Sequence, residues 1–226
     1  ILYQCSGVGV DMTAIQAGRA WDEVLEFWFP EGRSCNVDAQ THRTHWHWRM
    51  QGGADDEIVA RFSDLTGRAA QRGLDPWALE PQGRLALIII LDQFSRSIWR
   101  EDARAYAQDP CALSLVIKGL SNGHYSALQT PWSRIVYGLP LGHCEGHDHL
   151  ERLDLLIHLR DEIAAAAPPP LRPIYSSLVD QARDVRKIIA AFGRHPHRNA
   201  ILNRRSTAAE EAYIAKGQFP HQKAFR

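Results

Sequence analysis

The chain has 226 residues and a mass of 25.5 kDa, with 45% hydrophobic and 23% charged residues. This composition is typical of a globular protein and excludes wholesale disorder. The 26 Lys and Arg residues balance 26 Asp and Glu residues, so the net charge is zero, which argues against a dedicated nucleic-acid binder or an electrostatic membrane-surface protein. The length predicts one domain that folds without a disulfide or a structural metal.

The two ends of the chain are expected to lie outside this domain. The chain does not open with Met, and Met12 is a candidate natural start, so residues 1–11 are interpreted as an upstream or expression-derived remnant. Residues 12–216 are predicted to form a single helical domain, and residues 217–226 a tail. The longest apolar run has seven residues, whereas a membrane-spanning helix needs about 20. Four cysteines without C-x-x-C spacing favour a reducing cytoplasm over a disulfide framework or a zinc site.

Helical periodicity dominates the first half of the chain. The first predicted helix has one apolar face, made of Trp21, Val24, Leu25 and Trp28, and ends at Pro30. Residues 35–51 are rich in His and Trp but show no clear period. A second helix is expected to begin at Asp55 or Asp56 and to end before Gly73. Residues 83–95 are strongly apolar and fit a buried strand or a core helix; we predict a helix because no other segment fits a partner strand.

The second half is expected to contain further helices that begin at recognisable caps. Asp109-Pro110 and Thr130-Pro131 each place Pro at a first helical position, and these helices are predicted to end near Leu120 and Tyr137. Residues 142–167 form another predicted helix, which three consecutive prolines stop. Ile174 to Phe192 carries the cleanest amphipathic stripe, and Thr207 with Glu210 forms a capping box for a last short helix. The sequence therefore predicts an all-α fold of about seven or eight helices in antiparallel pairs.

Three polar stretches are candidates for function, and the first follows the most apolar segment. Asp92, Gln93, Arg96 and Arg100 place a carboxylate, an amide and two guanidinium groups at the end of a buried helix. Burying such charges costs free energy unless they are paired. One interpretation is a structural Asp–Arg pair that closes the helix end. The other is a polar pocket floor in which Gln93 or an arginine binds a ligand.

The second stretch has three His, one Cys and two carboxylates within residues 143–149. His143 and His147 have helical i, i+4 spacing, but the order H-E-x-x-H is missing and Gly146 intervenes, so no metal site is predicted. His143 is a candidate general acid/base, since imidazole titrates near neutral pH and Glu145 or Asp92 can orient it. Cys144 is a weaker candidate nucleophile beside it. His147 and His149 are interpreted as exposed residues at a helix start.

The third stretch directly follows the long amphipathic helix and is dense in hydrogen-bond donors. Its members proposed to bind substrate are Arg194, His197, Arg198, Asn199 and Arg204. Arginine suits bidentate binding of carboxylate or phosphate, so a small anion site is one interpretation. Internal Arg–carboxylate bridges that hold the C-terminal helix are the alternative. The Trp-rich stretch around Trp46 is interpreted as ordinary core packing rather than as a cation cage.

In this order, the three stretches resemble the bacterial family called domain of unknown function 924. The similarity lies in the opening residues 24–29, in Leu-Asp-Gln-Phe at 91–94 with the following arginines, in Pro-Leu-Gly-His-Cys-Glu at 140–145, and in the closing motif at 192–199 and 204–210. It covers roughly residues 20–214. The resemblance implies a tetratricopeptide-like helical fold and brings no activity. The chain departs from the family pattern at Ser95, Ser97, Cys144, Leu150 and Asn203.

Two hypotheses from different classes follow. The first is a small-molecule-binding helical protein, with the features of a cofactor-independent enzyme that performs acid/base chemistry such as cyclisation, elimination or hydrolysis on a small carboxylate or phosphate. The alternative is a tetratricopeptide-like adaptor that binds an acidic peptide or partner protein in a groove. A deep polar cavity favours the first, and an open concave groove favours the second.

The first hypothesis makes a geometric prediction about side chains from all three stretches. Seven of them should meet in one polar region: Asp92, Arg96, His143, Glu145, Arg194, His197 and Arg198. In that region His143 would move protons while Arg194 and Arg198 hold the anionic group of the substrate. No metal, cofactor, nucleic acid or membrane partner is predicted.

Overall fold

The computed structural model describes residues 21–32, 37–217 and 219–220, and every regular element within these ranges is helical. The all-α prediction is confirmed there. The helices in chain order are α1 (21–28), α2 (Ala39–Met50), α3 (Asp55–Ala70), α4 (Pro81–Ile89), α5 (Ser95–Ile98), α6 (Arg104–Ala107), α7 (Asp109–Ser121), α8 (Pro131–His143), α9 (His149–Ala166), α10 (Arg172–Phe192) and α11 (Ala208–Ala215). Residues 1–20 and 221–226 lie outside the described ranges, and so does the predicted boundary at residue 12.

Helix α2 corrects the sequence analysis, which found no period in residues 35–51. Asp38 caps this helix by accepting hydrogen bonds from the Gln40 and Thr41 N–H groups. Its buried face consists of His42, Trp46 and Arg49, at i, i+4 and i+7. The helical period is therefore present, but it is carried largely by polar residues, which a search for apolar periodicity does not detect.

The apolar segment 83–95 is helical rather than extended, as predicted. Helix α4 continues into a π-helical turn over Ile90–Phe94, in which the Ser95 N–H bonds the Ile90 carbonyl five residues earlier. Helix α5 follows at once. This segment is buried on almost every side, because α3, α7 and α8 pack around it.

Helices α8 and α9 differ from their predicted bounds. Helix α8 was expected to end near Tyr137 but continues through Pro140 to His143. Helix α9 was expected to begin at residue 142 but begins at His149, so residues 144–148 form a connection between the two helices. Gly119 of α7 is required for packing against α8, because the Tyr137 hydroxyl occupies the place of a Cβ atom at that position.

Helices α9 and α10 form an antiparallel pair along their whole length. Ion pairs join Asp154 to Arg186 and Asp161 to Arg183, so residue numbers rise along one helix as they fall along the other. The predicted stripe of α10 is confirmed, with Ile174, Leu178, Ala182 and Ile189 all buried. The predicted capping box of Thr207 and Glu210 also begins α11.

One hydrophobic core joins residues from α1 through α10. Within the described part of the chain, no helix is both long and apolar enough to cross a membrane. Helices α8, α9 and α10 and the turn after α4 contribute to the walls of a cavity.

Candidate functional site

The cavity has a volume of about 460 Å³, which is in the range of small-molecule binding sites. Its walls combine apolar and polar side chains. The apolar lining includes Trp46, Met50, Leu139, Leu153, Leu156, Ala182 and Val185. The polar lining includes Gln93, Arg96, Arg100, Glu101, Tyr106, His143, Arg160, Gln181, His195, His197 and Arg198. A cavity that combines apolar walls with several hydrogen-bonding and charged groups suits a small organic ligand that carries polar groups.

The π-helical turn over Ile90–Phe94 positions the carboxylate at this site. It carries Asp92 and Gln93, and π-helical turns in proteins frequently occur at functional sites. Asp92 is fully buried, and the Gln93 Nε2 donates to its Oδ2 at 2.5 Å. The sequence indicated a helix here, but it carried no signal for the π turn.

Asp92 and His143 form a hydrogen-bonded pair at the cavity wall. The His143 Nδ1 lies 2.9 Å from both carboxylate oxygens of Asp92. Burial opposes ionisation of Asp92, but His143 and then Arg96 outweigh it and hold the pKa of Asp92 well below its ordinary value. Because the ionised carboxylate accepts a hydrogen bond from Nδ1–H, it orients the ring, and the His143 Nε2 has no hydrogen-bond partner among the described residues.

Two arginines extend this pair into a buried network. Arg96 interacts with Asp92 at 3.4 Å and donates to the Asp109 Oδ1 at 2.8 Å, while Arg198 donates to the Asp109 Oδ2 at 3.0 Å. The Arg198 guanidinium also lies over the Tyr106 ring, 4.4 Å from its centroid. Two carboxylates therefore offset two guanidinium groups here. Sequence analysis used Asp109 only as a helix start and missed its role as the shared partner.

The C-terminal end of α8 is capped by side chains from two later segments. The Gly142 carbonyl accepts hydrogen bonds from the Nε2 atoms of His149 and His195, each at 3.0 Å. Burial lowers the pKa of His149 to about 4 and lowers the pKa of His195 well below its ordinary value, so both rings are neutral at pH 7. His149 was expected to be exposed, but it is 1% exposed. These caps fix the position of the neighbouring His143.

Glu145 lies beside this cap and is bound by other groups than His143. It pairs with Arg204 and accepts from the His195 N–H at 2.7 Å. Burial opposes ionisation of Glu145, but the Arg204 hydrogen bond is among the causes that hold its pKa below the ordinary value. Asp92, rather than Glu145, therefore orients His143.

Arg194 is also bound elsewhere. It forms a bidentate pair with Glu210, at 2.7 and 2.9 Å, and this pair is the main cause that lowers the pKa of Glu210 to about 2. Asn199 donates to Ser206 and accepts from Arg204. Arg194, Asn199 and Arg204 are therefore bridges that hold the C-terminal segment, and none of them lines the cavity.

Arg100 and His197 line the cavity at its edges. Arg100 is mostly exposed and pairs with Asp55, and Ser97 donates to the other oxygen of the same carboxylate at 2.6 Å. The His197 ring stacks on His195 and Phe219, with centroids 5.4 and 5.3 Å away. Of the seven side chains predicted to meet, the cavity brings together Arg96, His143, His197 and Arg198 with the adjoining Asp92, but not Glu145 or Arg194.

Arg160 is a cavity residue that sequence analysis did not identify. It is 4% exposed, and its Nη1 donates to the Leu178 carbonyl at 2.6 Å and to the Gln181 Oε1 at 3.3 Å. Among the described residues, its Nε has no hydrogen-bond partner and no carboxylate pairs with it. Burial lowers the pKa of Arg160 to about 10. Its spacing in the sequence could have identified it, because Arg160 is four residues after Leu156 and so lies on the apolar stripe of α9.

Cysteine and metal chemistry receive no support from the described residues. Cys144 is buried, and burial raises the pKa of its thiol, which disfavours the nucleophilic thiolate. Within residues 21–32, 37–217 and 219–220, no three or more His, Cys, Asp or Glu side chains are grouped so that they could hold a metal ion.

Comparisons with known proteins identify relatives of the chain. Residues 24–218 match the family model described as bacterial protein of unknown function (DUF924). The fold is similar to that of the protein of unknown function ATU0120 from Agrobacterium tumefaciens, with a TM-score of 0.65 and 29% sequence identity over 89% of this chain and 99% of that one. No curated protein matches the chain. The descriptions of these relatives name no substrate, so we infer the function from the chemistry of the cavity.

Proposed function

The chain belongs to the bacterial family DUF924, and we propose that it binds a small anionic molecule in the cavity and performs cofactor-independent acid/base chemistry on it. The observation that carries this proposal is the Asp92–His143 pair at the cavity wall. A buried carboxylate that orients an imidazole, whose second nitrogen has no protein partner, is an arrangement suited to proton transfer.

His143 would act through its Nε2. The neutral ring donates a hydrogen bond from its Nδ1–H to Asp92 and carries a lone pair on Nε2, which accepts a proton from the substrate. The resulting imidazolium ion is stabilised by the ionised Asp92. The same Nε2 then returns the proton to the leaving or product atom, so the ring ends in its starting state. Elimination, cyclisation and hydrolysis all use such a cycle.

The alternative of an adaptor for an acidic peptide receives less support. That hypothesis needs guanidinium groups available at a surface groove. Arg194 is paired with Glu210, and Arg204 is paired with Glu145. Arg194, Arg198 and Arg204 of the closing motif are therefore paired with internal carboxylates, whereas the cavity has the size and mixed lining of a small-molecule site.

The proposal is tested with a library of small carboxylates and phosphates that carry hydroxyl, ester, amide or lactone groups. Thermal shift identifies those that stabilise the protein, and mass spectrometry then follows their conversion. For a converted compound, we expect His143→Ala to lower the rate by about 10²- to 10⁴-fold, because the acid/base group is lost. Binding of that compound should persist.

A matched control is His158→Ala, which removes an exposed histidine of α9 that does not line the cavity. It should leave the rate unchanged. Asp92→Asn should lower the rate while keeping the ring of His143. Equal rates for wild type and His143→Ala would refute the acid/base role, and a library without any stabilising anion would refute the proposed ligand class.

A further inference from the structure

Arg160 differs from the other arginines of the cavity because, within the part of the chain that the structure describes, no carboxylate pairs with it. Arg96 and Arg198 share Asp109, and Arg100 pairs with Asp55. Arg160 has only two neutral acceptors, the Leu178 carbonyl and the Gln181 amide oxygen. Both acceptors bind Nη1, so Nε and Nη2 make no hydrogen bond to the described residues. A buried guanidinium without an acid is costly, and a bound anion would remove that cost.

Arg160 and His143 are held by different partners in the cavity wall. A Cβ atom on Gly142 would lie 3.1 Å from Leu156 and 3.4 Å from Leu153, so the end of α8 packs against this part of α9. Arg160 follows these two residues by four and seven positions, which is about 6 and 10 Å along the helix axis. Its guanidinium bonds the Leu178 carbonyl and Gln181 of α10, whereas His143 bonds Asp92. Leu153, Leu156, Ala182 and Val185 line the same cavity, which therefore offers apolar surface beside these two polar groups.

We propose that Arg160, supported by Gln181, is the binding site for a carboxylate group of the ligand. The ligand is then an extended monocarboxylate with a largely apolar body, whose far end reaches His143. This inference rests on the proposed function for its acid/base part, but carboxylate binding at Arg160 is independent of catalysis. It also revises the expected anion site, because Arg194 and Arg198 already have carboxylate partners.

A carboxylate fits this position better than a phosphate. The guanidinium of Arg160 supplies a single positive charge, and a carboxylate carries a single negative charge. A phosphate monoester carries about −1.5 to −2 at neutral pH and would leave excess charge beside the leucines of α9. A guanidinium N–H forms a charge-assisted hydrogen bond with a carboxylate oxygen, and the Arg160 Nη2 makes no hydrogen bond to the described residues.

The test measures binding of octanoate, octanol and octylamine to the wild-type protein by calorimetry. These probes share one apolar chain and differ in the charge of the head group. We expect octanoate to bind at least tenfold more tightly than octanol, and octylamine to bind worst. Octanol binding as tightly as octanoate, or no octanoate binding, would overturn the inference.

The variant Arg160→Met keeps a long side chain and removes the charge. It should weaken octanoate binding by about 10- to 100-fold, the effect of losing a charge-assisted hydrogen bond, and leave octanol binding unchanged. Arg160→Lys keeps the charge without the fork and should retain part of the preference for octanoate. Octanoate affinity that Arg160→Met leaves unchanged would also overturn the inference.

Two further variants serve as controls. Arg186→Met removes a guanidinium that joins the same two helices but lies outside the cavity, and it should alter neither probe. In His143→Ala the preference for octanoate over octanol should persist, because this preference comes from the head group at Arg160. If octanoate binding still depends on Arg160 in the His143→Ala background, the carboxylate site is supported. This holds even if His143→Ala has no effect on the rate of any converted compound. The two proposals are thereby separated.

Discussion

Arg49 and Arg160 are each 4% exposed, yet their surroundings differ in one respect. Arg49 pairs with buried Glu31 and donates to the Trp28 and His45 carbonyls at 3.0 and 3.2 Å. Glu31 also accepts from His42, which bonds the Tyr175 hydroxyl. No carboxylate of the described residues pairs with Arg160. A buried charge that its own chain pairs with an acid is structural, whereas we propose that the charge of Arg160 is paired by a ligand.

The largest effect is expected where the network around Arg49 is broken. Arg49→Met leaves the buried Glu31 without its guanidinium partner, which should lower the free energy of unfolding by about 3–5 kcal/mol. Urea denaturation measures this loss. A loss of unfolding free energy below about 1 kcal/mol would mean that Arg49 is not the structural partner of Glu31. The proposed difference between Arg49 and Arg160 would then be wrong.

A second effect concerns the neutral imidazoles that bind the Gly142 carbonyl. The folded-state pKa values of His149 (about 4) and His195 lie below the unfolded value near 6.5, so the folded chain binds fewer protons. Their contribution to stability is complete above pH 6.5 and is lost as the pH falls towards 4. The slope approaches about 1.4 kcal/mol per pH unit for each proton taken up on unfolding.

Thermal unfolding between pH 7 and 4 measures this dependence. His149→Gln and His195→Gln keep a hydrogen-bond donor for the Gly142 carbonyl but cannot titrate, so each should flatten the profile. A slope equal to that of the wild type in both variants would show that other groups cause the acid sensitivity.

The smallest effect is expected for the ligand-free protein with Arg160 replaced. Because Arg160 lacks a carboxylate partner, Arg160→Met should leave the free energy of unfolding within about 1 kcal/mol of the wild-type value or raise it. The same denaturation experiment measures it beside Arg49→Met. A loss of several kcal/mol would place Arg160 with Arg49 as a structural arginine and remove the basis of the comparison.

Sequence patterns predicted the fold where apolar residues carry the helical period. The stripe of α10 and the capping box of α11 are local signals, and both are observed. Helix α2 was missed because its buried face includes His42 and Arg49, whose partners Glu31 and Tyr175 lie outside the helix. Burial of polar residues depends on tertiary partners that a local window does not contain.

The site, too, could be predicted only in part, because local motifs show which polar residues are present but not which partners they contact. The motifs around Asp92, His143 and Arg198 indicated polar groups at helix ends, and these groups do lie at one cavity or against it. Which carboxylate each arginine would bind depends on chain packing, so Glu145 and Asp92 were not distinguished as partners of His143. Arg160 belongs to no motif. It could be singled out only from the structure, in which no carboxylate of the described residues pairs with it.

The π-helical turn at Ile90–Phe94 has a consequence for how the chain can change by deletion. A π turn accommodates one residue more than a regular α-helix, so a single deletion there would restore ordinary α-helical geometry. Each residue turns an α-helix by about 100°, so such a deletion would carry Asp92 around the axis and away from His143. Deletion of one codon would thus leave a foldable helix in which Asp92 no longer pairs with His143, so chain length at this turn would mark the relatives that keep this pair.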